Sequence, residues 1–134
     1  MLTYDVSARR VDGHGSVAAV KQAEIILDTG MAGRPDAFNP AELFLASIAA
    51  CMIKGIERVV PMLDFSLRGV TVSLHGERQD SPPKMVSVTY VLTVDTDESD
   101  RRLELLHTNV RKFGTISNTI AETVNLTGEI RRKP

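Results

Sequence analysis

The chain has 134 residues, of which 43% are hydrophobic and 25% charged, with a formal net charge of −1. That length suits one domain, residues 1–134, burying roughly two-thirds of its unfolded surface, and the composition is that of a soluble globular chain, not a disordered or fibrous one. The near-neutral balance gives no electrostatic footing for nucleic acid or an anionic membrane, and the short basic run Arg131-Arg132-Lys133 does not change that.

The chain opens on MLTYDVSARR, which lacks the basic-then-apolar pattern of a secretory signal, and no later segment reaches the ~18 apolar residues a membrane span needs. A cytoplasmic location is expected. Val6 and Ala8 precede the turn signal Asp12-Gly13-His14-Gly15, and the run from Ala23 to Asp28 follows, so the first third reads as a hairpin or meander. The stretch TGMAGRPDAF, 29–38, has two glycines, a proline and no periodicity: a loop.

The next element carries the clearest local signals. Asn39 is a favoured N-cap, Pro40 suits the first helical position, and Glu42 can bond back to the cap, so a helix starts at Pro40. Pro61 disfavours helical backbone at Val60, which places the expected end near Val59. Between those limits nearly every face is apolar, the pattern of a helix buried all round, by a sheet on one side and by something else on the other. The small residues Ala46, Ser47, Ala49, Ala50 and Gly55 admit a closely approaching backbone. A second copy of the chain and an ordinary central helix within one chain both satisfy them.

After Pro61 the period changes. Val70, Val72 and Leu74 alternate with polar residues, as do Val86, Val88, Tyr90, Leu92 and Val94 beyond the Asp80-Ser81-Pro82-Pro83 break, which predicts two antiparallel strands with His75 on the solvated face. Leu103, Leu106, Val110 and Phe113 then mark one helical stripe starting near Ser99, with Gly114 as a C-cap glycine and Ser117 placed to cap a short helix through Val124. VNLTGEI returns to strand. The fold class is α+β.

Chemistry centres on Cys51, the single cysteine, which cannot form an internal disulfide and fits a reducing compartment; the Asn125-Leu126-Thr127 sequon is then accidental. His14, His75 and His107 stand in no ligand spacing with it, so no metal and no cofactor is expected. A thiolate is what reacts, and forming it takes a cation or a helix N-terminus nearby. Cys51 lies about three turns into its helix, beyond the reach of the terminal dipole, and Glu42 falls on the opposite face. An activating cation must come from elsewhere: Arg34, Arg9, Arg10 or another subunit. The residues alone leave a reactive thiol and an inert, space-filling one both open.

Asn39-Pro40-x-Glu42-Leu43 followed by Ala49-Ala50-Cys51, then Gly69-Val70-Thr71-Val72 and a late helix–turn–helix, resembles the OsmC/Ohr family from about Arg34 to Ile130. The resemblance implies antiparallel sheets around a long central helix and an intertwined homodimer with its sites at the subunit interface. It also implies peroxide chemistry: Cys51 as the thiol that attacks an organic hydroperoxide, in an oxidative stress response. Family peroxidases carry a resolving cysteine in a Cys-Pro-x-Ser stretch, where this chain reads Gly114-Thr115-Ile116-Ser117, and an acidic residue directly after Asn-Pro, where it has Ala41. An external thiol must then replace the missing cysteine, and Arg34, in the loop leading to the helix, is the candidate for stabilising the thiolate. The alternative is an inactive dimer that holds a hydrophobic small molecule in a pocket lined by Phe44, Ile48, Met52 and Phe113, with Glu42 nearby.

Overall fold

The computed structural model describes residues 1–134. Nine elements follow in order: strands β1 (Ser7–Asp12), β2 (Gly15–Val20) and β3 (Ala23–Leu27), helix α1 (Pro40–Leu63), strands β4 (Gly69–Gln79) and β5 (Lys84–Asp95), helices α2 (Asp100–Phe113) and α3 (Thr115–Ile120), and strand β6 (Asn125–Arg132). They divide between two compact units, Met1–Phe44 and Leu45–Pro134.

In the first unit the expected meander forms, β1-β2-β3, antiparallel throughout. The Asp12 carboxylate accepts the His14 backbone N–H at 2.8 Å to close the first turn, and Lys21 takes a left-handed φ of 53° at the second. The loop after β3 is held by the Asp28 N–H donating to the Phe38 carbonyl at 2.8 Å, beside a parallel bridge between Leu27 and Phe38. Asn39 and Glu42 then make the reciprocal cap read from the sequence: the Glu42 N–H donates to Asn39 Oδ1 at 2.8 Å, and the Asn39 N–H donates to Glu42 Oε1 at 3.0 Å. No large apolar side chain of this unit is buried, and Val6, Val11, Val20, Ile25, Ile26 and Phe38 stay exposed.

The whole core belongs to Leu45–Pro134. Its three-stranded sheet runs in the order β4-β5-β6, with β5 central. β4 and β5 pair antiparallel as expected, but β6 lies parallel to β5, so this sheet is mixed rather than antiparallel. The reason is the connection: α2 and α3 carry the chain back across the sheet before β6 begins, and such a crossover brings the next strand in parallel. Val88, Tyr90, Leu92 and Val94 form the buried row of β5 and meet Leu126 and Ile130 of β6 with Leu103, Leu106 and Val110 of α2.

Two expectations for the helices need correction. α1 does not stop before Pro61 but continues through it to Leu63. Proline removes one N–H near the end, where the unmatched carbonyl belongs to exposed Glu57 and can face water. The end is set instead by Asp64 in a left-handed conformation, φ 49°, with the Arg102 guanidinium donating to the Leu63 carbonyl at 2.6 Å and the Asp64 carbonyl at 3.3 Å. Within the single chain Ile48, Met52, Gly55, Ile56 and Val59 of α1 make one buried stripe, while Ala50, Ile53 and Met62 are exposed. Gly55 does serve a close approach, and its neighbour is Val110 of α2, whose Cγ1 would lie 3.3 Å from an added Cβ.

The second correction concerns the end of α2. Ser99 caps its start, accepting the Arg102 N–H at 3.3 Å. Gly114 follows Phe113 in extended backbone, φ −75° and ψ 117°, and is at once the end of α2 and the N-cap of α3. Ser117 therefore lies inside α3 rather than at its start. What calls for glycine at 114 is space: a Cβ would stand 3.1 Å from both the Val110 carbonyl and Ser117 Oγ.

Candidate functional site

Cys51 sits on α1 between the buried residues Ile48 and Met52, with its own side chain half-buried. The turn from α2 to α3 crosses it, and the Ile116 backbone N–H donates to Cys51 Sγ at 3.4 Å. The stretch Gly114–Ser117, which the family resemblance sets opposite the attacking thiol, is thus the stretch that touches Cys51. Arg58, two turns further along α1, donates from Nη1 to the Phe113 carbonyl at 3.1 Å and fixes the other side of the same turn. Ser117 is 3% exposed and its hydroxyl has no partner in the structure. The donor for the sulfur comes from a backbone, which is why residue types in the sequence did not reveal it.

Arg34 belongs to the first unit. Its Nε and Nη2 donate to the two oxygens of Asp36 at 2.6 and 2.9 Å, a bidentate pair that raises the arginine's affinity for its proton and lowers that of the aspartate. The same guanidinium extends over Gly15, where a Cβ would meet Nη1 at 2.7 Å. It lines a cavity of about 360 Å³ together with Val11, Asp12, His14, Ser16, Val17 and Ile26. Glu42 is engaged in the helix cap, and Phe44 is half-buried.

The other members of the pocket read from the sequence separate by environment. Ile48 at 0% and Met52 at 1% exposure are sealed in the core, whereas Phe113 is 41% exposed beneath the Lys112 ammonium, 5.3 Å from its ring centre. At the α2–α3 turn Cys51 accepts from the Ile116 N–H, and the Phe113 carbonyl accepts from Arg58.

A second polar cluster in the same unit escaped the sequence. Tyr90 Oη lies 2.6 Å from His107 Nε2 and accepts from Arg111 Nη1 at 2.9 Å. Burial, opposed by Glu104 and reinforced by Arg111, holds His107 below its usual proton affinity. His107 and Arg111 are one helical turn apart, a spacing that could have been noticed, but their partner lies 17 residues away on a strand. At the far end of the sheet Arg68 pairs with Asp95 and Asp97, Arg102 with Glu98, and Arg132 with Asp100, a network that ties the strand ends to the start of α2. No group of three or more histidine, cysteine or acidic side chains is arranged to hold a metal ion, and no helix is long and apolar enough to cross a membrane.

The fold is shared with solved structures at low sequence identity. An OsmC-like protein from Mycoplasma pneumoniae superimposes with a TM-score of 0.85 at 18% identity, covering 98% of this chain and 96% of the other. An organic hydroperoxide resistance protein OsmC from Legionella pneumophila gives 0.77 at 22% identity, with 97% and 98% covered. OhrB, the organic hydroperoxide resistance protein of Bacillus subtilis, gives 0.72 at 20% identity over the same shares. No curated protein matches the sequence. The family model for OsmC-like proteins matches residues 33–129, a span that includes the capped helix start, Cys51 and the α2–α3 turn laid against it. The chain therefore belongs to the OsmC-like protein family.

Proposed function

We propose that the protein is a one-cysteine thiol peroxidase that reduces organic hydroperoxides as a homodimer in the cytoplasm. The observation that carries this reading is the Ile116 N–H aimed at Cys51 Sγ on a half-buried thiol, in a chain with no second cysteine. The sulfur thereby has a backbone hydrogen-bond donor, and the thiolate is the nucleophilic form of cysteine. The sulfur attacks the outer peroxide oxygen, the O–O bond breaks, and the alkoxide leaves to take a proton from water, with Cys51 oxidised to a sulfenic acid. One external thiol condenses with it, releasing water and leaving a mixed disulfide; a second thiol displaces Cys51 and carries the disulfide away. The reductant is taken as external because the chain has no second cysteine, and Gly114, where the family resemblance sets one, has little room for a side chain. Arg34 is assigned the role of stabilising the thiolate and the leaving oxygen. Support for peroxide as substrate comes from the two hydroperoxide-resistance proteins that share the fold.

The test is stoichiometric cumene hydroperoxide followed by intact-mass and peptide mass spectrometry. A single added oxygen at Cys51, absent in Cys51→Ser and at least about tenfold slower in Arg34→Met, is the expected result. No oxidation at Cys51 under low peroxide excess would overturn the proposal.

A second reading is favoured by the cavity at Arg34, whose apolar residues Val11, Val17 and Ile26 stand beside Asp12 and His14. Such a lining suits a small apolar ligand with one polar group, held without turnover. In that case Cys51→Ser leaves affinity for a hydrophobic fluorescent probe unchanged, and a large loss argues against it.

A further inference from the structure

The cluster of Tyr90, His107 and Arg111 has one proton arrangement that leaves the buried phenolic O–H paired. An arginine has donors and no acceptor, so the bond from Arg111 Nη1 uses a lone pair of Tyr90 Oη. Tyr90 is 1% exposed, and its only other polar partner is His107 Nε2 at 2.6 Å, so the phenolic proton must point there. Nε2 then bears a lone pair. His107 is neutral with its proton on Nδ1, and an imidazolium in its place would set two donors and the arginine's charge around one phenol oxygen.

The ring of Tyr90 is itself fixed. Gly128 of β6 pairs with it across the sheet, and a Cβ at 128 would clash with the Tyr90 ring and carbonyl. The movable side of the contact is therefore α2, and α2 passes directly into the turn that meets Cys51. Gly114 is the single residue between α2 and α3, the Asn118 amide donates to the Lys112 carbonyl at 3.2 Å, and Ile116 carries the N–H given to sulfur.

We propose that Tyr90, His107 and Arg111 are positioning residues for Cys51, forming a latch that seats α2, and with it the Ile116 N–H, only while His107 is neutral. The role assigned to Cys51 rests on the peroxidase reading; the latch itself does not. On α2, Glu104 favours the imidazolium and Arg111 opposes it. The helix-facing row of β5 contributes Tyr90 alone, and that of β6 contributes Arg132, which is bound to Asp100 and the Glu98 carbonyl. α3 has no charged residue, Arg58 of α1 is bound to the Phe113 carbonyl, and His75 and Glu77 of β4 pair with each other at the surface. Since burial lowers the proton affinity of His107, the folded chain gains from neutral His107 above its ordinary 6.5 and loses that gain as pH falls below it.

Two measurements test this on the full chain. Nitrogen-15 imidazole spectra at pH 8 are expected to show His107 protonated at Nδ1; protonation at Nε2 would overturn the latch. The alkylation rate of Cys51 by iodoacetamide is then compared between the native chain and His107→Gln, whose amide oxygen can accept from Tyr90 but does not titrate. Equal rates are expected at pH 8, and a native rate severalfold below the variant once the pH is taken below the His107 titration followed in the same nitrogen-15 spectra, because only the native chain loses its seat. A ratio that stays constant with pH overturns the coupling. Tyr90→Phe, which needs no acceptor, should show no His107-dependent step, and a step that persists counts against the proposal. Neither readout uses peroxide, so a Cys51 inert to hydroperoxide would sink the peroxidase reading and leave the latch standing.

Discussion

At the scale of single residues, glycines decide where elements touch. Gly128 lies under the Tyr90 ring with no space for a side chain, so Gly128→Ala forces a core aromatic to move; a loss of about 1–3 kcal/mol, read from the urea midpoint, is the expected cost of such overpacking. Gly55 is a milder case. Its Cβ would meet Val110 Cγ1 at 3.3 Å, so the gain of about 1 kcal/mol that alanine brings to a helix interior is offset by crowding, and Gly55→Ala should leave stability almost unchanged. A substantial loss in thermal midpoint would show that α1 and α2 cannot give way. Cys51 was legible as a candidate because it is the only thiol, and the Asn39–Glu42 cap because cap chemistry is local. The Ile116 donor and the Tyr90–His107 contact were not, since each joins residues whose nearness depends on the finished packing of α2.

At the scale of elements, the end of α1 is held by a side chain from the start of α2. Arg102 spans from Glu98 to the Leu63 and Asp64 carbonyls, so Arg102→Met leaves helix-end carbonyls without their donor; about 1–3 kcal/mol should be lost, measured by urea denaturation. The surrounding carboxylates add a pH dependence. The Ser66 N–H and then Arg102 lower the proton affinity of Glu98, and Arg68 lowers that of Asp97, so their stabilisation is present above the ordinary carboxylate range and disappears as pH falls through the depressed values. A thermal midpoint that drops on acidification below about pH 4.5, with a shallower drop in Glu98→Gln, is the expected outcome. Strand and helix periods revealed these elements in outline because apolar spacing reports which face is buried. They did not reveal that α1 runs through Pro61 or that β6 lies parallel to β5, which depend on a long-range cap and on chain routing.

For the molecule as a whole, the distribution of burial is uneven. Every large buried apolar residue lies in Leu45–Pro134, while the three-stranded sheet of Met1–Phe44 exposes Val11 on one outer strand and Ile25 and Ile26 on the other. Apolar surface of that kind on a sheet calls for a cover, and the proposed second copy supplies one. Light scattering should then report twice the chain mass, and Ile26→Lys, placing a charge on a residue 51% exposed, should shift the distribution toward the single chain; a native protein that is monomeric at micromolar concentration would remove the dimer from the proposal. The parallel pairing of β6 has a consequence for how the protein comes into being. Until residues 125–132 have been synthesised, β5 is an open edge and the apolar stripe of α2 lacks part of its floor. Assembly of the larger unit is thus gated by its last strand: a nascent chain halted before Asn125 carries a nearly complete set of elements and an exposed adhesive rim, the form in which a chaperone would have most to protect.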